Sequence, residues 1–188
     1  MTQKRGTFLD RDVSEEYLRE WTAQVAAEKK VREVGAKSAV IFRIATEWLA
    51  LPTAVFQEVG DPCTVHTLPH HRGGIVSGLV NVRGELWVSV SLEALLGLRN
   101  AAEVPEPGKL NCYGRLLICN HRGGRLVFRV SEVGGVRRYH PRDLRDVPAT
   151  LAKAAAGIYI VGVLPWEDRT VGCLDDELLF YALDKGLA

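Results

Sequence analysis

The sequence predicts an all-β chain: two small five-stranded barrels packed side by side, with an N-terminal helical extension and a short helix after the last hairpin of each half. Three observations carry this. From Ser38 onward, apolar residues alternate at period two in short runs broken by Gly- and Asp-containing turns. The unit is also written twice. Phe56-Gln57-Glu58-Val59-Gly60 returns as Val130-Ser131-Glu132-Val133-Gly134, 74 positions later, and Ile75 to Gly78 with its hairpin parallels Ile158 to Gly162, about 84 positions later. Finally, each half offers about five short strands, enough for a small closed barrel that hides its edges. Two such barrels side by side leave a groove for a partner.

Each element has a local reason. The first 38 residues hold 15 charged residues, eight basic and seven acidic. Asp12-Val13-Ser14-Glu15 resembles a capping box with Asp12 as the cap. Tyr17, Trp21 and Val25 then recur every four residues, beside Leu18, giving one narrow apolar stripe on a helix from Asp12 to about Glu33. Such a stripe docks either on its own domain or on a partner, with Trp21 covered. Val40, Phe42 and Ile44 form the first strand, and Ala45-Thr46-Glu47 a turn. Trp48 to Val59 reads as one bent strand interrupted at Pro52. After a loop from Gly60 to Gly74, Gly78 to Val82 and Leu86 to Leu92 flank a tight Arg83-Gly84 turn. Ser91 caps a short helix, Leu92 to Leu96, ended by Gly97.

The first barrel is thus expected over about 39–98, a linker with Pro105, Pro107 and Gly108 over about 99–110, and the second barrel over about 111–183, within a domain of 39–188. In the second half, Leu116 and Ile118 lead to a turn at His121-Arg122-Gly123-Gly124, and Leu126, Phe128 and Val130 lead back. A polar, Arg-rich loop follows to about Thr150. Ile158 to Leu164, a Glu167-Asp168 turn and Thr170 to Leu174 make the last hairpin. Asp175 caps a closing helix through Leu183, as Ser91 does in the first half.

Composition limits the function. The 188 residues are 47% hydrophobic and 25% charged, which supports a packed core and excludes disorder of the whole chain. A net charge of +1 argues against a generic polyanion binder. The longest charge-free run, Ala154 to Trp166, has 13 residues, well short of the ~20 that a membrane-spanning helix needs. The charged start carries no apolar signal core, so a cytoplasmic protein without membrane insertion is expected. Cys63, Cys112, Cys119 and Cys173 contain no Cys-x-x-Cys and read as small buried hydrophobes. Cys112, Cys119 and His121 lack a fourth ligand at zinc-finger spacing, and His66, His70 and His71 read as a solvated loop rather than a metal site. No phosphate-binding Gly-rich loop, His-Glu-x-x-His or Gly-x-Ser-x-Gly occurs. The expectation is a binding protein with no catalytic residues, cofactor or metal.

Gly78-Leu79-Val80-Asn81-Val82-Arg83-Gly84, followed by Leu86, Val88, Val90 and Leu92, resembles the signature hairpin of the CheW family, the coupling proteins of bacterial chemosensory arrays. Leu49-Ala50-Leu51-Pro52, Gln57-Glu58-Val59, Leu68-Pro69, Ser131-Glu132-Val133, Gly162-Val163 and Val171-Gly172-Cys173-Leu174-Asp175 follow in order, so the resemblance covers Ala39 to Leu183. Trp48, Asn81 to Gly84, Leu164-Pro165-Trp166 and the helical extension look most like the couplers of Wsp-type surface-sensing systems. Val88 stands where the family usually has Pro, and Ser91 where it usually has Asp. The resemblance implies SH3-like barrels and a non-catalytic adaptor. Its partners would be the cytoplasmic tip of a methyl-accepting receptor and the regulatory domain of a CheA-type histidine kinase. It also implies a receptor-facing groove with Phe56, Glu58, Asn81, Arg83 and Gly84.

Several residues carry two readings. Arg83 is a solvated turn residue or a directional donor to a partner, and Glu58 either pairs with it or meets the receptor. Alternation puts Trp87 opposite Leu86, Val88 and Val90, on the nominally polar face. There it covers the gap between barrels or anchors a partner, and Trp166 poses the same question. With Trp21 these are the partner-interface candidates. Residues 115–145 hold eight Arg against Glu132 and Asp143, a net of +6, which is the argument for a small-barrel nucleic-acid binder. Few aromatics accompany those arginines, whereas single-strand binding needs stacking platforms. A protein adaptor without nucleic acid is therefore favoured.

Overall fold

The computed structural model describes residues 14–26, 35–68, 74–98, 114–152 and 155–187. The chain divides into two units, Met1–Val34 and Gly35–Ala188. In the first, α1 spans Glu15–Ala26. Its cap is Ser14 rather than Asp12: the Tyr17 N–H donates to Ser14 Oγ at 3.3 Å. Glu15 and Glu16 then fill the first turn, where the helix dipole favours acid. Asp12, the stretch 27–33 and the side chains of Trp21 and Val25 lie outside the described residues. So do the expected linker, Cys112, His70 and His71.

The described residues of the second unit hold ten strands in two five-stranded sheets, with little helix. These are β1 (Lys37–Ile44), β2 (Glu47–Pro52), β3 (Phe56–Gly60), β4 (Val76–Val82), β5 (Glu85–Val90), β6 (Arg115–His121), β7 (Gly124–Val130), β8 (Glu132–Tyr139), β9 (Ile160–Trp166) and β10 (Arg169–Leu174). One sheet runs β8-β1-β2-β10-β9 and the other β3-β6-β7-β5-β4. The expected hairpins form, and so do both parallel contacts between them, β2 with β10 and β5 with β7.

The sheets do not divide at the linker, which corrects the sequential 39–98 and 111–183 units. If β1 to β5 are matched with β6 to β10, the two strand orders become identical. Each sheet takes a leading hairpin and a single outer strand from opposite halves: β8 pairs β1, and β3 pairs β6. Hairpins are local and visible in sequence, whereas the exchange of outer strands is a long-range pairing that periodicity does not encode. Trp48 to Val59 is accordingly not one bent strand. β2 ends at Pro52, Thr53-Ala54-Val55 turn, and β3 enters the other sheet. The Arg-rich loop after Val130 contains β8, whose Gly134, Gly135 and paired arginines disguise a strand.

The main core draws on both sheets and the short helices, with Phe42, Leu51, Leu117, Phe128 and Phe180 fully buried in it. The other face of each sheet carries a smaller cluster. Ile41, Ala50, Leu164, Val171 and Cys173 form one; Val80, Trp87, Leu116, Ile118 and Val127 form the other. Strands buried on both faces explain the apolar runs in β1 and β6. Short helices close the repeats as expected. In α2 (Leu92–Leu96) the Ala94 N–H donates to Ser91 Oγ, and Gly97 ends the helix at φ 65°. A further short helix, α3, spans Ala149–Ala152. In α4 (Asp176–Leu187) the Leu178 N–H donates to Asp175 Oδ1, and the helix runs four residues beyond Leu183. Among the described residues no helix is long and apolar enough to cross a membrane.

Candidate functional site

The candidate groove residues gather where the outer strands of the second sheet approach each other. β4 and β5 are joined by two residues, Arg83 and Gly84, with φ of 53° and 89°. Positive φ at both positions is the type I′ pattern that matches strand twist. Glycine adopts it freely; Arg83 is held there by its neighbours. Asn81 Oδ1 accepts the Gly84 N–H at 2.7 Å, so Asn81 and Gly84 shape the turn. Arg83 Nη2 lies 2.6 Å from Glu58 Oε2 on β3, at the far end of the strand order. The guanidinium side chain is 80% exposed and the carboxylate side chain 27%, so the pair presents its cation outward. The internal pairing of Glu58 with Arg83 is thus realised.

Phe56 enters the same strand but not the same surface. A bulge between Phe56 and Glu58 resets the register against β6, and Phe56 packs on the main core. The structure therefore brings Glu58, Arg83, Asn81 and Gly84 together, whereas Phe56 is half-buried and packs on the main core.

Trp87 is neither a cover between the sheets nor an exposed anchor. It is 5% exposed, inside the second sheet's own cluster with Val80, Leu116, Ile118 and Val127. It does alternate with its neighbours, but both faces of β5 are covered beyond its first two residues, and the exposed apolar one is Leu86 at 67%. The Arg125 guanidinium sits 5.3 Å from the Trp87 ring centroid and pairs with Glu85. Trp87 Nε1 is buried and has no hydrogen-bond partner among the described residues. Trp166 is half-buried and meets Trp48 at 4.8 Å between ring centroids, with Arg169 5.0 Å from the Trp48 centroid. The pair rests on Gly134, where a Cβ would come 2.6 Å from the Trp166 ring.

The turn expected at His121-Arg122-Gly123-Gly124 forms between β6 and β7, and what periodicity leaves unseen is its likeness to the Arg83 turn. Asn120-His121-Arg122-Gly123 repeats the Asn-x-Arg-Gly wording of residues 81–84. Arg122 and Gly123 have φ of 49° and 87°, and Asn120 Oδ1 accepts the Gly123 N–H at 3.2 Å. Arg122 Nη2 lies 2.6 Å from Glu177 Oε2 on α4, and the His121 ring stacks on Phe180 at 4.6 Å. The identical spacing is the signal that marks it. An apparent run of arginines around these residues obscures it.

That run is not one surface. Arg115, Arg122, Arg125 and Arg129 belong to the second sheet and its turn, Arg137 and Arg138 to β8 in the first, and Arg142 to a 3-10 turn at Pro141–Asp143. Arg137 donates to the Pro165 carbonyl, and Arg43 Nε sits 3.2 Å from Glu132. Burial pushes the Cys119 thiol up to about 12 and Cys173 to about 11, so both behave as small hydrophobes. Among the described residues no group of three or more His, Cys, Asp or Glu is placed to hold a metal ion.

A model of the CheW-like domain matches residues 38–184. No curated protein matches the sequence. The fold is similar to a solved structure described as scaffolding protein TtCheW from Thermoanaerobacter tengcongensis. The TM-score is 0.60 and the identity 18%, over 77% of this chain and 87% of that one.

Proposed function

The chain belongs to the CheW-like domain family, and from that premise we propose that it is a non-catalytic adaptor of a bacterial chemosensory complex. In this reading it couples the cytoplasmic tip of a methyl-accepting receptor to the regulatory domain of a CheA-type histidine kinase. It acts in the cytoplasm beside membrane receptors and takes no cofactor. The Wsp-type surface-sensing role is part of the proposal, since the family match extends only to the family.

The observation that carries the reading is the Arg83–Glu58 pair. Its arginine lies on the signature hairpin and presents an outward guanidinium, fixed by a partly covered carboxylate on β3 and a side-chain-capped turn. A preoriented donor fork suits directional contact with a protein acid. The half-buried Trp48–Trp166 pair on the first sheet supplies a separate surface for the kinase domain. The dispersal of arginines over two sheets favours protein partners over a nucleic-acid track.

Paired titrations test this: the protein against a soluble helical fragment of a receptor tip, and against an isolated kinase regulatory domain. Saturable binding to both, and simultaneous binding of the two, is the expected result. Failure to bind either, in a folded sample, would remove the adaptor reading.

A further inference from the structure

We infer that Arg122 is a second receptor-contact residue, and that the two Asn-x-Arg-Gly turns form one platform for a protein surface presenting two carboxylates. The inference rests on the adaptor reading and extends its site. It starts from strand direction. β5 and β7 are adjacent and parallel, with Val88 opposite Leu126 and Val90 opposite Phe128. Each begins directly after its turn, β5 after Arg83-Gly84 and β7 after Arg122-Gly123. Both turns therefore lie at the same end of the second sheet, on neighbouring hairpins. The Arg125–Glu85 pair ties the second residue of β7 to the first of β5.

The two turns share their chemistry. Each arginine is held at positive φ beside a glycine whose N–H is taken by the asparagine side chain. Each is oriented by a glutamate from a different element, Glu58 on β3 and Glu177 on α4. Each guanidinium side chain is more exposed than its carboxylate, 80% against 27% for Arg83 and 74% against 62% for Arg122. One guanidinium has five N–H donors, so pairing with one glutamate leaves donors pointing outward. His121, stacked on Phe180, fixes the second turn to α4.

With Arg83, Arg122 and Arg125 set against Glu58, Glu85 and Glu177, the platform is balanced in charge. It selects acids by position rather than by bulk attraction. Its salt dependence should accordingly be shallow, whereas phosphate binding would show the steep slope of counterion release.

The test titrates a receptor-tip fragment with Arg83→Glu, Arg122→Glu and Arg142→Glu, with a melting curve for each. Arg142 is exposed on the 3-10 turn and carries the same charge change away from the platform. Arg83→Glu and Arg122→Glu are each expected to weaken binding at least about tenfold, while Arg142→Glu should leave it unchanged. Arg122→Gln keeps the assay valid if the charge reversal unfolds the turn, and should lose most of the same affinity. Loss with Arg83→Glu but not with either Arg122 variant would overturn the platform and leave the adaptor reading intact. No loss with any folded variant would count against the receptor site as a whole. Equal loss with Arg142→Glu, or a steep salt slope with duplex DNA that the Arg122 variants abolish, would also overturn the inference.

Discussion

Arg83 Nη2 sits 2.6 Å from Glu58 Oε2, and this contact joins β3 to the turn that follows β4; β3 and β4 are the two outermost strands of one sheet. An exposed pair of this kind contributes only about 0–1 kcal/mol to stability, because water competes for both charges. Its value is orientation. Arg83→Glu should lower receptor-tip affinity ten- to a hundredfold, the range expected on losing an Arg hydrogen bond of about 1.5–3 kcal/mol. The melting temperature should change little and binding of the kinase regulatory domain should be unaffected. Equal loss for both partners with a lowered melting temperature would show that Arg83 holds the fold instead.

Gly78 and Gly162 occupy matching places in the repeat, and the structure predicts unequal tolerance. At both, an incoming loop bridges the outer edge of a strand: His66 pairs Leu79 on β4, and Arg145 pairs Val163 on β9. Gly78 has φ 147°, and a Cβ there would overlap the His66 carbonyl. At Gly162 the Cβ would overlap the Leu144 side chain, which can rotate, and would lie 3.0 Å from the Arg145 carbonyl. Gly78→Ala should therefore cost more than Gly162→Ala, by about 1–2 kcal/mol in urea unfolding. Equal costs would mean that the His66 loop yields as readily as a side chain.

Trp87 supports a third comparison. Trp87→Ala should cost about 3–5 kcal/mol, since it empties the centre of the second sheet's cluster. Trp87→Phe loses volume but also removes a buried Nε1–H that has no partner among the described residues, a group whose burial is costly. It should cost less than half as much, read from the same unfolding curves. A Phe variant as damaged as Ala would show that the indole N–H is satisfied, for instance by water, in solution.

Turns and caps are legible in the sequence because their chemistry is local. At Arg83-Gly84, at Ser91 with Gly97, and at Asp175, one or two residues dictate the backbone geometry. The repeat is also readable, because β3 and the start of β8 share wording. Pairings between distant segments are not. β8 resembles a loop because Gly134 must admit the Trp166 ring, a requirement that exists only once β8 and β9 are placed together. Trp87 resembles a surface residue because alternation assumes one wet face, and this sheet has a cluster on each. Arg122 is hidden by its neighbours: a charge count over 115–145 averages residues that the fold sends to different sheets.

The buried thiols and Tyr139 make stability fall in alkali. Cys119 is raised to about 12 and Cys173 to about 11 by desolvation, against ordinary values near 9. Tyr139 is also raised, chiefly by burial and then by the charges of Cys173 and Asp176. In each case the folded state favours the neutral, protonated form. Above the unfolded-state value the unfolded chain releases protons that the folded chain keeps, so stability drops as pH rises. The contribution is complete below the ordinary thiol value near 9 and is lost as pH rises through the folded values. The melting temperature should therefore decline from about pH 9 towards 12. Cys119→Ala and Cys173→Ala should each flatten that decline, while lowering stability at neutral pH by the packing they remove. Native-state alkylation at pH 8 gives a second reading: iodoacetamide should leave Cys119 and Cys173 unmodified until denaturant is added. Rapid modification of either in the folded protein would show that its cluster opens far below the global unfolding free energy.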